Sequence, residues 1–283
     1  MSEHAEIFEV GPRDGLQNEA RDIPVAEKIA LVDLLSSAGF KRIECASFVS
    51  PKWVPQMAGS GEVLAGITRA AGVRYGALTP NMRGFEDARA AGADEIAVFG
   101  SASEGFSKAN VNATIEESLD RFAPVIEAAR MIDLPVRGYV SCVVGCPYDG
   151  DVDPADVARV ADRLFAMGCY EVSLGDTIGA GTPDNIARML MAVRDVVPVG
   201  RLAAHYHDTK GRAMDNIDAS IALGVRVFDA AVGGLGGCPF APGAAGNVAT
   251  EDVAAHLARL GYETGLDLDV VAKAAEMAKA MRG

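Results

Sequence analysis

The stretch Ala38-Gly39-Phe40-Lys41-Arg42-Ile43-Glu44-Cys45-Ala46-Ser47-Phe48 joins the end of one helical run to the start of one strand-like run. A glycine just past the last helical residue supplies the left-handed cap, so Gly39 closes the amphipathic pattern that begins at Val25 and runs to Ser37. The same punctuation recurs at Ala71-Gly72, Ala91-Gly92, Met167-Gly168 and Leu223-Gly224, each time ahead of another β-rich run. One βα unit is being reused. The strand-like runs are Ile7 to Arg13, Arg42 to Phe48, Arg74 to Thr79, Glu95 to Gly100, Val136 to Val143, Glu171 to Asp176, Leu202 to His207 and Val227 to Val232. Further helical patterns cover Thr114 to Met131, Pro154 to Met167 and Pro183 to Val196, the last two opening on proline, whose missing N–H costs nothing there. Alternating strands and helices imply a parallel sheet, and eight such units close naturally into a (β/α)8 barrel of the TIM type. A doubly wound open sheet is the competitor, but no Gly-rich nucleotide turn follows the first strand. The expected fold is therefore a single α/β domain, with a barrel over about residues 5–262 and a C-terminal helical extension over about 267–282.

Composition limits what such a barrel does. The 283 residues carry a formal net charge of −13, which disfavours nucleic acid and anionic membrane as partners. No apolar run approaches the ~20 residues of a membrane span. An acidic N-terminus without a basic-then-apolar order, and five scattered cysteines with no CxxC spacing, lead to the expectation of a reduced, cytoplasmic protein. A symmetric homodimer is the default assembly.

Barrels of this kind work at the C-terminal ends of their strands. Arg13 and Asp14 follow the first strand, Glu44 and Ser47 lie on the second, Asp176 ends the sixth, and His205 and His207 are on the seventh. Cys238 and Asn247 fall in the loop after the eighth. The run His205-Tyr206-His207-Asp208 holds two of only four histidines, and residues i and i+2 of a strand share a face. Closure brings the eighth strand beside the first, so Asp14 and Asn247 come within reach of both imidazoles. Two histidines, a carboxylate and an amide oxygen, without thiolate, suit Mg²⁺ or Mn²⁺ better than zinc and leave positions open for a chelating substrate. The bland alternative is a pair of hydrogen-bonded histidines lining the barrel.

Arg13 and Asp14 pose a problem of parity, since neighbours on a strand face opposite ways; Pro12 and Gly15 suggest that the strand is already giving way there. Read blandly, the two form a surface ion pair. The glycine-dense segment from Gly233 to Asn247 is a plain flexible loop, a phosphate cradle, or a lid carrying the Cys238 thiol. Asp176 could simply cap the following turn, and Glu44 could pair with a nearby arginine. Cys142 and Cys146 match no zinc spacing, and Lys52, Lys108 and Arg137 are candidate cations for an anionic ligand.

Several long motifs resemble the 3-hydroxy-3-methylglutaryl-coenzyme A lyases, within the wider group of metal-dependent lyase and synthase barrels. They are Glu9-Val10-Gly11-Pro12-Arg13-Asp14-Gly15-Leu16-Gln17-Asn18-Glu19, the run Ser47 to Met57, Val136 to Gly150, Ser173 to Gly179, the stretch from His205 to Thr209, and the cysteine loop. The resemblance covers almost the whole chain. It implies a divalent cation, Mg²⁺ or Mn²⁺, on Asp14, His205, His207 and Asn247, with no organic cofactor. It also implies an acyl-CoA substrate, Arg13 at the reacting carbonyl, Cys238 as the lid thiol, and Glu44 and Asp176 as catalytic carboxylates. Gln17, Ser47, Asn110, Arg137 and Tyr139 match polar positions lining or supporting the site. The expected reaction is a retro-Claisen cleavage to acetyl-CoA and acetoacetate; a lyase for a longer branched hydroxyglutaryl thioester, or a related condensing synthase, is the alternative. Cys45 stands where the family pattern is usually aliphatic, and as a small buried hydrophobe it should be neutral.

Overall fold

In the computed structural model, which describes residues 3–236 and 246–282, eight parallel strands close into a barrel in chain order. They are β1 (Glu6–Glu9), β2 (Arg42–Ser47), β3 (Arg74–Leu78), β4 (Glu95–Ser101), β5 (Val136–Ser141), β6 (Glu171–Asp176), β7 (Leu202–Tyr206) and β8 (Val227–Ala230). Closure runs through β8 and β1, in register from Val227 against Glu6 to Ala230 against Glu9. The outer layer is α1 (Val25–Ser36), α2 (Ser60–Gly66), α3 (Met82–Ala90), α4 (Glu104–Val111), α5 (Ile115–Arg130), α6 (Pro154–Met167), α7 (Pro183–Arg194), α8 (Ala213–Ala222) and α9 (Thr250–Arg259), with α10 (Leu268–Met281) as the expected extension. No helix of the described residues is long and apolar enough to cross a membrane.

All five glycines that punctuate the sequence have positive φ, from 79° at Gly92 to 119° at Gly168. Gly39 is doubly constrained: φ is 94°, and a Cβ there would lie 2.5 Å from the Gly265 carbonyl oxygen. The first strand departs from expectation. It ends at Glu9, and Gly11–Gly15 forms a single π-helical turn in which the Val10 carbonyl accepts from the N–H groups of Arg13, Asp14 and Gly15. A wide helical turn resolves the parity problem, because consecutive side chains no longer alternate across a sheet.

The barrel interior is charged where such barrels are commonly aliphatic. Arg42 reaches Glu6 at 2.6 Å and Glu171 at 2.8 Å; Arg137 reaches the same Glu171 oxygen at 2.7 Å and grips Asp229 through both terminal nitrogens at 3.0 and 2.6 Å. The Arg42 and Arg137 guanidinium carbons lie 4.8 and 4.2 Å from the centroid of the Phe8 ring. Charges this deeply buried are tolerated because each is paired; removing one partner typically costs about 3–5 kcal/mol.

Glu9 is fully buried and ties two loops together. Its Oε1 accepts from the N–H groups of Gly11 at 2.8 Å and Val232 at 2.9 Å, and its Oε2 from the Thr250 hydroxyl at 2.6 Å. Burial pushes its carboxyl up to about 7, against the pull of those three donors and with help from nearby Glu251. A carboxyl whose folded pKa is raised contributes stability that is present below its unfolded value and is lost as pH rises through the folded one. Glu9→Gln keeps the acceptor for both N–H groups and can donate to Thr250. Between pH 4.5 and 8 the native protein should therefore lose, relative to this variant, on the order of 3 kcal/mol. Urea denaturation at several pH values checks this, and parallel curves for the two proteins would contradict it.

Candidate functional site

Asp14 on the π-turn and His205 and His207 at the end of β7 bring three potential ligand atoms within 4.8 Å of one another. The turn projects Asp14 from the β1 side, β7 projects the imidazoles, and the segment after β8 folds back between them. That return is pinned by backbone bonds from Asp208 to the Gly246 carbonyl at 2.7 Å, from Val248 to Tyr206 at 3.1 Å and from Ala231 to Val248 at 3.0 Å. Asn247 thereby pairs with His207 in an isolated antiparallel bridge.

The two histidines differ in their surroundings. His205 Nδ1 lies 3.3 Å from Asp229 Oδ2, and its Nε2 faces Asp14 at 4.0 Å. Burial lowers its pKa, but Asp229 and Asp14 outweigh burial and leave it raised. Around His207 the balance falls the other way: burial and the neighbouring His205 outweigh the pull of Asp14 and push it down to about 4, so it is a neutral imidazole at pH 7. Its Nδ1 is buried and without a hydrogen-bond partner among the described residues. Burial would lift the Asp14 carboxyl, yet Arg13, both imidazoles and the Asn247 amide hold it at about 2. An ionised carboxylate, a neutral imidazole with an unpartnered nitrogen and a second imidazole oriented from behind fit a divalent cation. Asn247 meets Asp14 through its Nδ2 at 2.8 Å, so to serve as an oxygen ligand its amide must turn over.

Arg13 is buried beside this cluster. It donates to Asp14 at 2.6 Å and to Glu44 Oε2 at 2.5 Å, which keeps it charged in spite of burial. Tyr139 lies under the guanidinium, with 5.6 Å from carbon to ring centroid, and edge-on to His205 at 6.4 Å. Its hydroxyl is buried without a hydrogen-bond partner among the described residues. Gln17 reaches Asp14 at 3.4 Å, and Ser47, buried at the end of β2, is held through its own N–H by the Ser60 hydroxyl at 2.9 Å.

Other candidates lie elsewhere. Arg137 is not a free cation at the mouth: all its nitrogens are engaged by Glu171 and Asp229 inside the barrel, which makes it a support beneath the site. Asp176 falls on the opposite face of β6 from Glu171 and Ser173, towards the helices, and its two oxygens accept from Ala180 at 2.9 Å and Gly181 at 2.7 Å. It caps the following turn, the plainer of its two readings. Asn110 is exposed on α4, beside Phe99, Gly100 and Ser101 in a recess at the end of β4. Cys238 lies outside the described residues. Cys45, Cys142 and Cys169 are buried, and burial pushes each thiol up, away from reactivity. Asp229 and Glu9 escaped the sequence reading. A lone acid in the apolar run Val227-Phe228-Asp229-Ala230-Ala231 was the available signal, since a buried carboxylate needs a partner.

Comparison with known proteins agrees with this geometry. The profile of the HMGL-like family matches residues 4–278. A Pseudomonas aeruginosa protein named 3-hydroxy-3-isohexenylglutaryl-CoA/hydroxy-methylglutaryl-CoA lyase is 58% identical over 277 residues, 98% of this chain and 92% of that protein. The crystal structure of the HMG-CoA lyase from Brucella melitensis superposes with a TM-score of 0.99 at 63% identity, covering 99% of both chains. The structure of an HMG-CoA lyase from Acinetobacter baumannii in complex with coenzyme A and 3-methylmalate superposes with a TM-score of 0.93 at 37% identity, covering 98% of this chain and 91% of that one. A closed barrel with a buried Asp-His-His cluster, matched along nearly its whole length, therefore belongs to the HMGL-like family.

Proposed function

We propose that this protein is a divalent-cation-dependent carbon–carbon lyase that cleaves 3-hydroxy-3-methylglutaryl-CoA to acetyl-CoA and acetoacetate. The observation that carries the reading is the π-turn, which sets a cation ligand, Asp14, and a buried guanidinium, Arg13, side by side at one barrel mouth. Asp14, His205 and His207, with Asn247 as a fourth ligand, would hold the cation; Mg²⁺ or Mn²⁺ suits the nitrogen and oxygen donors. The bound ion would supply Lewis acidity, lowering the pKa of a chelated tertiary hydroxyl.

Loss of that hydroxyl proton lets the C2–C3 bond break: C3 becomes the ketone of acetoacetate and the electron pair leaves on C2 as the thioester enolate. Arg13 donates to the enolate oxygen, the role of an oxyanion hole. Of the two carboxylates read as bases, Glu44 is the one turned towards the barrel interior, where burial raises its pKa against the opposing pull of Arg13. Asp176 is assigned a supporting place instead. Cys238 would return a proton to C2. The unpartnered Tyr139 hydroxyl and Gln17 are suited to hold the polar acyl portion, and Asn110 to meet the CoA arm at the rim.

Purified protein with Mg²⁺ or Mn²⁺ should release acetoacetate from this thioester, and its absence under both ions would overturn the reading. The double name of the Pseudomonas aeruginosa relative favours a second reading, in which a longer branch is accepted as well. Turnover of the methyl and isohexenyl thioesters, side by side, decides between them.

A further inference from the structure

Asp229 has no place among the cation ligands, yet both its oxygens are engaged beneath them. It is 2% exposed, on β8, and its register partner on β7 is His205 itself. Three groups converge on its Oδ2: Arg137 Nη1 at 3.0 Å, the Ser173 hydroxyl at 2.8 Å and His205 Nδ1 at 3.3 Å. Arg137 Nη2 takes the other oxygen at 2.6 Å. Arg137 is anchored in turn by Glu171, and Glu171 by Arg42, so the carboxylate is clamped from below by a chain that crosses the barrel.

We infer that Asp229 is a positioning residue for the cation site, accepting the Nδ1–H of His205 and so presenting the Nε2 lone pair towards Asp14. This rests on reading Asp14, His205 and His207 as a cation site. An imidazole alone chooses freely between tautomers, and only the one protonated at Nδ1 can offer Nε2 to a metal. The clamp removes that choice. Ser173 and Arg137 serve by using up the remaining acceptor capacity of the carboxylate, which fixes its plane. His207 has no equivalent partner among the described residues, so within them one histidine is oriented in advance and one is not.

Asp229→Leu alone would strand the Arg137 charge in the barrel and endanger folding. The working variant is therefore Asp229→Leu with Arg137→Met, which removes both charges while Arg42 continues to pair with Glu171. Mn²⁺ titration followed by electron paramagnetic resonance reads affinity. Ring ¹⁵N shifts of His205 in the cation-free protein read its tautomer, which a merely structural role would not alter. Expected are a single Nδ1–H tautomer in the native protein, a mixture in the double variant, and about 10–100-fold weaker Mn²⁺ binding, with the fold retained by circular dichroism. A partial variant, Ser173→Ala, should weaken binding less. Failure of the native protein to bind Mn²⁺ would overturn the cation reading and this inference with it. Native binding with an unchanged tautomer and affinity in the double variant would overturn the inference alone.

Discussion

Replacing Arg13 with glutamine should lower turnover by at least about 10²–10³, the range in which removal of one well-placed donor to a developing oxyanion falls. The effect should appear in kcat, because the charge that the guanidinium meets exists on the thioester oxygen only as the carbon–carbon bond breaks. Cation binding should move the other way. Arg13 is a fixed positive charge whose Nη1 lies 2.6 Å from Asp14, and it competes with any ion for that carboxylate. Its removal should hold Mn²⁺ affinity steady or tighten it. Asp14 remains ionised at pH 7 even if its pKa climbs from about 2 towards the usual carboxylate value. Lysine is the informative partner variant: it restores the charge but not the fork that spans Asp14 and Glu44, so its turnover should lie between the two. A glutamine variant within a few-fold of native kcat would remove Arg13 from the chemistry.

The architecture was legible because it is local. Helices α1, α3, α6 and α8 each run within three residues into a positive-φ glycine just ahead of the next strand, while Gly72 turns the loop between α2 and β3. The two histidines were legible for the same reason, being two apart on one strand. What escaped depends on contacts across the barrel or on a shift of one residue. Arg137 reads as an available cation until Asp229, 92 positions away, is seen to hold both its terminal nitrogens. Arg42 and Glu171 meet across 129 positions. Asp176 differs from an inward-facing residue by a single step of strand parity, and the bounds Glu171 to Asp176, though read correctly, do not say which face of the strand is inward. The π-turn at Gly11–Gly15 has no hydrophobic period to announce it, although Pro12 and Gly15 signalled that the strand stops.

His207→Ala separates binding from folding more cleanly than any other change at the site. His205 carries a second duty, its bond to Asp229, so its loss also disturbs the charged network inside the barrel. His207 has no such bond; its buried Nδ1 has no partner among the described residues, and burying an unsatisfied polar atom costs about 1–3 kcal/mol. Truncation should accordingly leave thermal stability without cation within about 1 kcal/mol of native, since the lost packing is offset by relief of that cost. Mn²⁺ affinity should fall by more than the 10–100-fold expected for loss of a supporting partner, because a direct ligand is removed. Mass action then makes a further claim. If the residue acts only through the cation, raising Mn²⁺ in proportion to the weakened affinity should recover much of the turnover, whereas no concentration of cation should rescue Arg13→Gln. Calorimetric titration and a cation-dependence curve measure both, and native affinity in the alanine variant would exclude His207 from the ligand set.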